Sequence, residues 1–214
     1  MTISQVDFAS LLCSRLCHDL LSPVGALNNG LELLAGEHDP EMRNRCLELL
    51  GESARASANK LKFFRLAFGA AGGFGETIDS REARAAIEGL FGDNHRVKLG
   101  WLIEESVLPK SAIKVLLNLA LIAGDALVRG GQLDIGAETN DGRVEIVVRG
   151  QGTRIVLDAE LRTALLGTGG DAVVTPRAAA AYLVHALVAE GGGTLQVSDP
   201  DAETLVFGVA FHAR

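Results

Sequence analysis

The chain has 214 residues, enough for one large domain or two small ones with real cores. At 48% hydrophobic and 22% charged it reads as globular rather than disordered, and a net charge of −7 argues against a general nucleic-acid binder. The longest apolar run, residues 115–128, is broken by Asn118, Gly124 and Asp125, so no membrane span is expected; residues 1–10 carry Asp7 and no basic stretch, so no signal peptide is expected and a cytoplasmic location is the simplest expectation.

The spacing predicts a first helix over residues 4–35, with Gly36 as its stop. Its apolar stripe runs Phe8, Leu12, Leu16, Leu20, Val24, Leu27, Leu31 and Leu34, at steps of three and four. Pro23 lies inside and predicts a bend near His18. His18 is two residues from both Leu16 and Leu20, about 160–200° around the helix from the stripe, so it is expected to face solvent. Its face carries Leu11, Arg15, Ser22, Gly25, Asn29 and Glu32. Beyond the histidine these side chains are small or polar and would let another protein's backbone come close. An exposed imidazole with Asp19 beside it can act as a nucleophile that carries a group. The plainer alternative is an ordinary surface histidine on a bundle helix. Cys13 and Cys17 share a face at i, i+4 near His18, but no fourth ligand follows at metal spacing. With Cys46 they are expected to be small buried hydrophobes in a reducing compartment, with no metal bound.

Asp39 is expected to cap a second helix, with Pro40 at its first position and its end near Phe68. The second stripe is Met42, Cys46, Leu49, Leu50, Ser53, Ala56, Leu61, Phe64 and Phe68. Two helices of about 30 residues with a short loop make an antiparallel hairpin, each helix about 45 Å long. A lone hairpin leaves both stripes partly uncovered, so a second copy completing a dimeric four-helix bundle is expected. The glycine-rich break at residues 69–75 (GAAGGFG) sets the expected boundary: a helical hairpin over 1–70 and an α/β sandwich over 76–214.

The second half alternates. A short strand is expected at 77–79, a helix capped by Ser80 to about 89, a strand at 96–103, and an apolar helix opened by Pro109 to about 128. Strands at 132–137 and 143–148 are turned by Asn140-Asp141-Gly142. A short helix at 158–165, a glycine-rich loop at 166–175, a helix from Pro176 to 190 and strands at 194–198 and 204–211 complete an α+β chain whose mixed sheet carries helices on one face.

The run Leu16-Cys17-His18-Asp19-Leu20-Leu21-Ser22-Pro23, continuing to Leu34, resembles the phosphoacceptor box of sensor histidine kinases. In its fuller form (LCHDLLSPVGALNNGLELL) it is similar to the ChpT-type histidine phosphotransferases of alphaproteobacteria. The second half resembles the ATP-binding domain of histidine kinases, whose three nucleotide motifs read poorly here. The N-x-x-x-N motif falls on Asn118 to Ile122, and isoleucine offers no oxygen to Mg²⁺. The D-x-G-x-G motif aligns with Gly150-Gln151-Gly152-Thr153-Arg154 and lacks its aspartate. The G-x-G segment aligns with Arg177-Ala178-Ala179-Ala180 and leaves no glycine for phosphates to approach. Gly167-Thr168-Gly169-Gly170 could cradle a phosphate, but a remnant loop is the simpler reading.

The resemblance therefore implies a phosphorelay shuttle that binds no ATP and no cofactor of its own. His18 would take a phosphoryl group from one receiver aspartate and pass it to another, with Asp19 holding the ring and the receiver supplying Mg²⁺. Imidazole titrates near 6.5, so its neutral, nucleophilic form predominates at cytoplasmic pH. The expected docking residues are Arg15, Leu21, Ser22, Gly25, Asn28, Asn29 and Glu32, joined from the second helix by Asn59 and Lys62, with Arg55 nearby. The resemblance implies as partners a second copy, the receiver of a CckA-like hybrid histidine kinase, and regulators similar to CtrA and CpdR, with no nucleic acid and no membrane. The rivals are an ATP-dependent sensor kinase core, tested by nucleotide binding, and a non-catalytic dimeric scaffold, tested by acid-labile label.

Overall fold

The computed structural model describes residues 3–69, 76–92, 96–170 and 174–213; all but Gly69 of the expected break at 69–75 and part of the glycine-rich loop lie outside them. The chain opens with α1 (Gln5–Gly36) and α2 (Pro40–Ala67), packed as an antiparallel hairpin. Each start is built as the sequence dictates. The Ser4 side chain accepts from the Asp7 amide, and Asp39 accepts from the Met42 amide with Pro40 beginning the helix. Gly36 ends α1 as its last helical residue rather than lying beyond it. Arg43 closes the connection by donating to the Leu34 and Glu37 carbonyls.

After the linker come β1 (Thr77–Asp79), α3 (Ser80–Phe91), β2 (Val97–Trp101), β3 (Val107–Pro109) and α4 (Lys110–Ala126). Then follow β4 (Gly131–Asn140), β5 (Arg143–Gln151), α5 (Ala159–Leu166), a 3-10 turn (Pro176–Ala178), α6 (Ala179–Glu190), β6 (Thr194–Val197) and β7 (Thr204–His212). The main sheet has the order β2-β4-β5-β7-β6; β2 runs parallel to β4 and the other pairs are antiparallel. Along β5, Val144, Ile146, Val148 and Gly150 are buried while residues between them are exposed, so one face is covered by helices and the other meets solvent. The β4–β5 turn places Asp141 at φ 48° and Gly142 at φ 77°, the two positive values that a two-residue hairpin of this hand requires.

Two expectations are corrected locally. Asp79, not Ser80, caps α3 by accepting from the Arg81 amide, while Ser80 is buried and donates to the Glu105 carbonyl. Strand β3, which pairs antiparallel with β1, was not expected, because three residues are too few to show a period.

Helix α4 is buried on nearly every side, between the sheet, α6, α2 and α3. Its core is continuous with the end of α2: Phe63, Phe64, Leu66 and Ala67 join Ile113, Leu116 and Leu117. The α2 stripe predicted only Phe64 of these four buried residues, because α3 and α4 cover the helix end from a second side. Elsewhere the hairpin stays open. Val24, Leu31, Met42, Leu49 and Leu61 of the predicted stripes are 43–59% exposed. Cys13 and Cys17, expected to be buried, are exposed, since α2 covers only one side of α1; Cys46 alone is buried. Among the described residues no helix is long and apolar enough to cross a membrane.

Candidate functional site

His18 stands on α1 with 83% of its side chain exposed. Its Nδ1 lies 3.0 Å from Asp19 Oδ1. A carboxylate can only accept, so Nδ1 carries the proton in this contact and Nε2 keeps its lone pair on the open ring. The other Asp19 oxygen, Oδ2, receives the Arg15 Nε proton at 2.6 Å, one helical turn back. Asp19 and Arg15 side chains are only 15% and 14% exposed. Arg15 also reaches beyond the hairpin: one terminal nitrogen lies 3.3 Å from Asp125 Oδ2 on α4, and the other donates to the Arg177 carbonyl at 3.3 Å. Arg177 in turn pairs with Asp158 at 3.0 Å. The Asp125 carboxyl sits above the ordinary carboxylate range, because desolvation outweighs the pull of Arg15. Its side chain is still 55% accessible: the outer edge meets water while Leu121, Ile122 and Val156 line the cavity behind it.

Pro23 has no backbone N–H, so the Asp19 carbonyl four residues earlier loses its helical donor. Lys60 of α2 fills that role, its Nζ lying 2.8 Å from the Asp19 oxygen. The proline break thus ties α2 to the backbone beside His18. Lys60→Met should strand a half-buried carbonyl and destabilise the fold by about 1–2 kcal/mol, read as a lower urea midpoint at unchanged slope. An unchanged midpoint would show that water satisfies the carbonyl equally well.

Of the expected docking residues, Leu21, Ser22, Asn28, Asn29 and Glu32 are exposed on α1, with Leu21 at 70%. Gly25 is half-buried, yet a Cβ there would meet nothing within 4 Å. Lys62 is exposed on α2. Two residues point elsewhere. Arg15 is drawn inward as described, and Asn59 is half-buried against α3, where a Cβ on Gly89 would approach it to 3.1 Å. Lys60, Asp125, Arg177 and Asp158 join the site without having been expected in it from the sequence. Pro23 carried a signal for the first, since it orphans a specific carbonyl. An acid in the last turn of the apolar α4 carried one for the second.

Positions 118–122 and 178–180, aligned with two of the nucleotide motifs, are buried in the interior, while Gln151, Thr153 and Arg154 of the third are exposed. Asn118 is fully buried, and its Nδ2 donates to the Ala67 carbonyl at 3.1 Å and the Lys114 carbonyl at 2.8 Å, so it caps the end of α2. Ile122 is buried, and Ala178, Ala179 and Ala180 are packed in the interior. The cavity shared by Arg15, Ile122, Asp125, Asp158, Arg177 and Ala180 holds about 40 Å³. That is room for roughly one water, against the ~300 Å³ or more of a small-molecule site. Gly167 ends α5 at φ 67°; its amide and that of Thr168 both bond the Thr163 carbonyl, so these donors cap a helix. Among the described residues no cluster of three or more His, Cys, Asp or Glu is placed to hold a metal ion.

Residues 80–203 match the family described as histidine phosphotransferase C-terminal domain. The chain is 35% identical over 208 residues to protein phosphotransferase ChpT of Brucella abortus (strain 2308), covering 97% of each. A solved bacterial phosphotransferase superposes with a TM-score of 0.85 at 33% identity, covering 98% of each chain. The histidine kinase AdeS of Acinetobacter baumannii aligns more loosely, with a TM-score of 0.47 at 15% identity over 92% of this chain and 98% of that one.

Proposed function

The chain belongs to the histidine phosphotransferase family, with phosphoryl transfer as its activity, and from that premise we propose that His18 is the residue that carries the phosphoryl group between receiver-domain aspartates. The observation that carries this reading is the His18–Asp19 contact on a largely exposed ring, which leaves Nε2 as the nucleophilic nitrogen. In the forward step Nε2 attacks the phosphorus of a receiver's aspartyl phosphate. The N–P bond forms as the P–O bond breaks, and the receiver carboxylate leaves with the electron pair. The proton stays on Nδ1, and Asp19 neutralises the positive charge the ring acquires. In the second step another receiver's carboxylate attacks the phosphohistidine, the N–P bond breaks, and the electron pair returns to Nε2.

Transfer of this kind rests mainly on positioning and charge neutralisation, so little further equipment is needed from this chain. Mg²⁺ is inferred to come with the receiver, where it would neutralise the phosphoryl oxygens. Within this chain Asp125 and Asp158 face Arg15 and Arg177, an arrangement that suits guanidinium rather than a metal. The same packing argues against use of ATP: the cavity bordered by Leu121, Ile122, Arg177 and Ala180 holds about 40 Å³, and Asn118 is committed to α2. The donor is inferred to be the receiver of a CckA-like hybrid kinase and the acceptors regulators similar to CtrA and CpdR, on the resemblance of the Leu16–Leu34 run. The docking face is inferred to be Leu21, Ser22, Gly25, Asn28, Asn29 and Glu32 with Lys62 from α2.

The experiment offers the purified protein either a phosphorylated receiver or labelled ATP with Mg²⁺. Acid-labile label is expected from the receiver and none from ATP. Label from ATP would favour a kinase, and no label from any receiver would favour a scaffold. A dimer completing a four-helix bundle is supported by the 44–59% exposure of Val24, Leu31, Leu49 and Leu61. Light scattering at micromolar concentration should return twice the chain's 22.5 kDa, and a monomer mass would refute the bundle.

A further inference from the structure

We propose that Arg15 is a positioning residue for the transfer reaction: anchored in the second domain by Asp125 and the Arg177 carbonyl, it holds Asp19, and through Asp19 it sets the ring of His18. The proposal rests on His18 being the phosphoacceptor.

Neighbouring residues on a helix point about 100° apart, so the His18–Asp19 contact does not follow from helical geometry. The Asp19 carboxylate must be turned toward the ring and kept there. Residue 15 is the i−4 neighbour of Asp19, on the same face, and its Nε takes Oδ2 at 2.6 Å while Oδ1 faces His18 Nδ1 at 3.0 Å. Each carboxylate oxygen therefore has a separate partner, and the aspartate is fixed from both sides. Arg15 is itself fixed by two groups more than 100 residues away in sequence, Asp125 Oδ2 and the Arg177 carbonyl, each at 3.3 Å. Its side chain lines the cavity beside Ile122, Arg177 and Ala180, which holds only about 40 Å³. The second domain thereby acts on the reacting side chain although it holds no part of the phosphoacceptor itself.

Asp125 points the same way. It lies in the last turn of α4, at the negative end of the helix dipole, and that turn contains no basic residue. For α4 alone a carboxylate there is unfavourable. Its cationic neighbours are Arg15 and Arg177, reaching across from α1 and from the turn before α6. The site is thus arranged for Arg15 rather than for the helix that carries it.

The test uses the full-length protein and a phosphorylated receiver, comparing wild type with Arg15→Gln, Arg15→Lys and Asp125→Asn. The saturating transfer rate should fall on the order of tenfold in Arg15→Gln and about threefold in Asp125→Asn, while receiver affinity stays within twofold. Arg15→Lys should recover part of the loss, since an ammonium can hold Oδ2 but lacks the fork. In ¹⁵N spectra of His18, the Nδ1–H tautomer should lose population in the same order. Thermal stability of Asp125→Asn should be unchanged or higher, because the helix end loses an unfavourable charge. A purely structural bridge would instead lower stability and leave the tautomer alone. Because Asp125 is half exposed, its variant decides the matter even if Arg15→Gln folds poorly. Wild-type saturating rates and an unchanged tautomer in Asp125→Asn would overturn the proposal. A His18→Gln arm separates the two layers: label persisting there would remove the phosphoacceptor assignment and this proposal with it, whereas label lost there with Arg15 variants at wild-type rates removes this proposal alone.

Discussion

His18→Gln should reduce phosphoryl transfer from a phosphorylated receiver by about 10⁴-fold or more while leaving receiver affinity within roughly threefold. Glutamine keeps much of the length and polarity of histidine but has no lone-pair nitrogen able to attack phosphorus, so the chemical step loses its nucleophile. The ring is 83% exposed and, among the described residues, hydrogen-bonds only to Asp19, so the fold has little to lose. One side chain also contributes little of the area that a receiver would cover. Stopped-flow or gel-based transfer assays read the first quantity and titration calorimetry the second. Transfer within tenfold of wild type would place the phosphoacceptor elsewhere.

Gly25→Arg should do the opposite, weakening receiver affinity about 30-fold or more while sparing the chemistry of His18. Gly25 lies seven residues, two helical turns, from His18 on the same face. A Cβ at this position meets nothing within 4 Å, so the folded chain has room for a longer side chain. Replacing a helical glycine should even raise stability by roughly 0.5–1 kcal/mol. A docked receiver, in contrast, would meet a long charged side chain where close backbone approach is expected, at a cost of about 2 kcal/mol or more. The signature is therefore a higher unfolding midpoint with weaker binding, a combination no folding defect produces. A small phosphodonor that labels the wild type without docking should label Gly25→Arg equally. Wild-type transfer in this variant would mean that the receiver approaches His18 from the α2 side.

Much of this arrangement was legible in the sequence because it rests on local rules. The cap at Asp39, the proline opening of α2, the Asp141-Gly142 turn and the alternation along β5 are each set by a few neighbouring residues. The exposure of His18 followed from its angular distance to the leucine stripe alone. What stayed hidden depends on contacts distant in sequence. Periodicity places Arg15 on the His18 face but is silent about the distant partners, Asp125 and Arg177, that draw it inward. Burial of Phe63, Leu66 and Ala67 likewise reflects α3 and α4 closing over the end of α2. Asn118 aligns with a nucleotide motif, yet its donors serve the Ala67 and Lys114 carbonyls, which only the packed structure reveals. Cys13 and Cys17 were misplaced for the converse reason: a two-helix hairpin covers one side of α1 and leaves the other open.

The central claim, that Nε2 of His18 carries the phosphoryl group, is tested most directly by locating that group after a brief reaction with a phosphorylated receiver. Alkaline denaturation followed by ³¹P spectroscopy and peptide mass spectrometry should find one alkali-stable, acid-labile phosphoryl group per labelled chain, on His18 and at Nε2. Phosphate on Nδ1 would contradict the role assigned to Asp19, and phosphate on any other residue would contradict the claim itself.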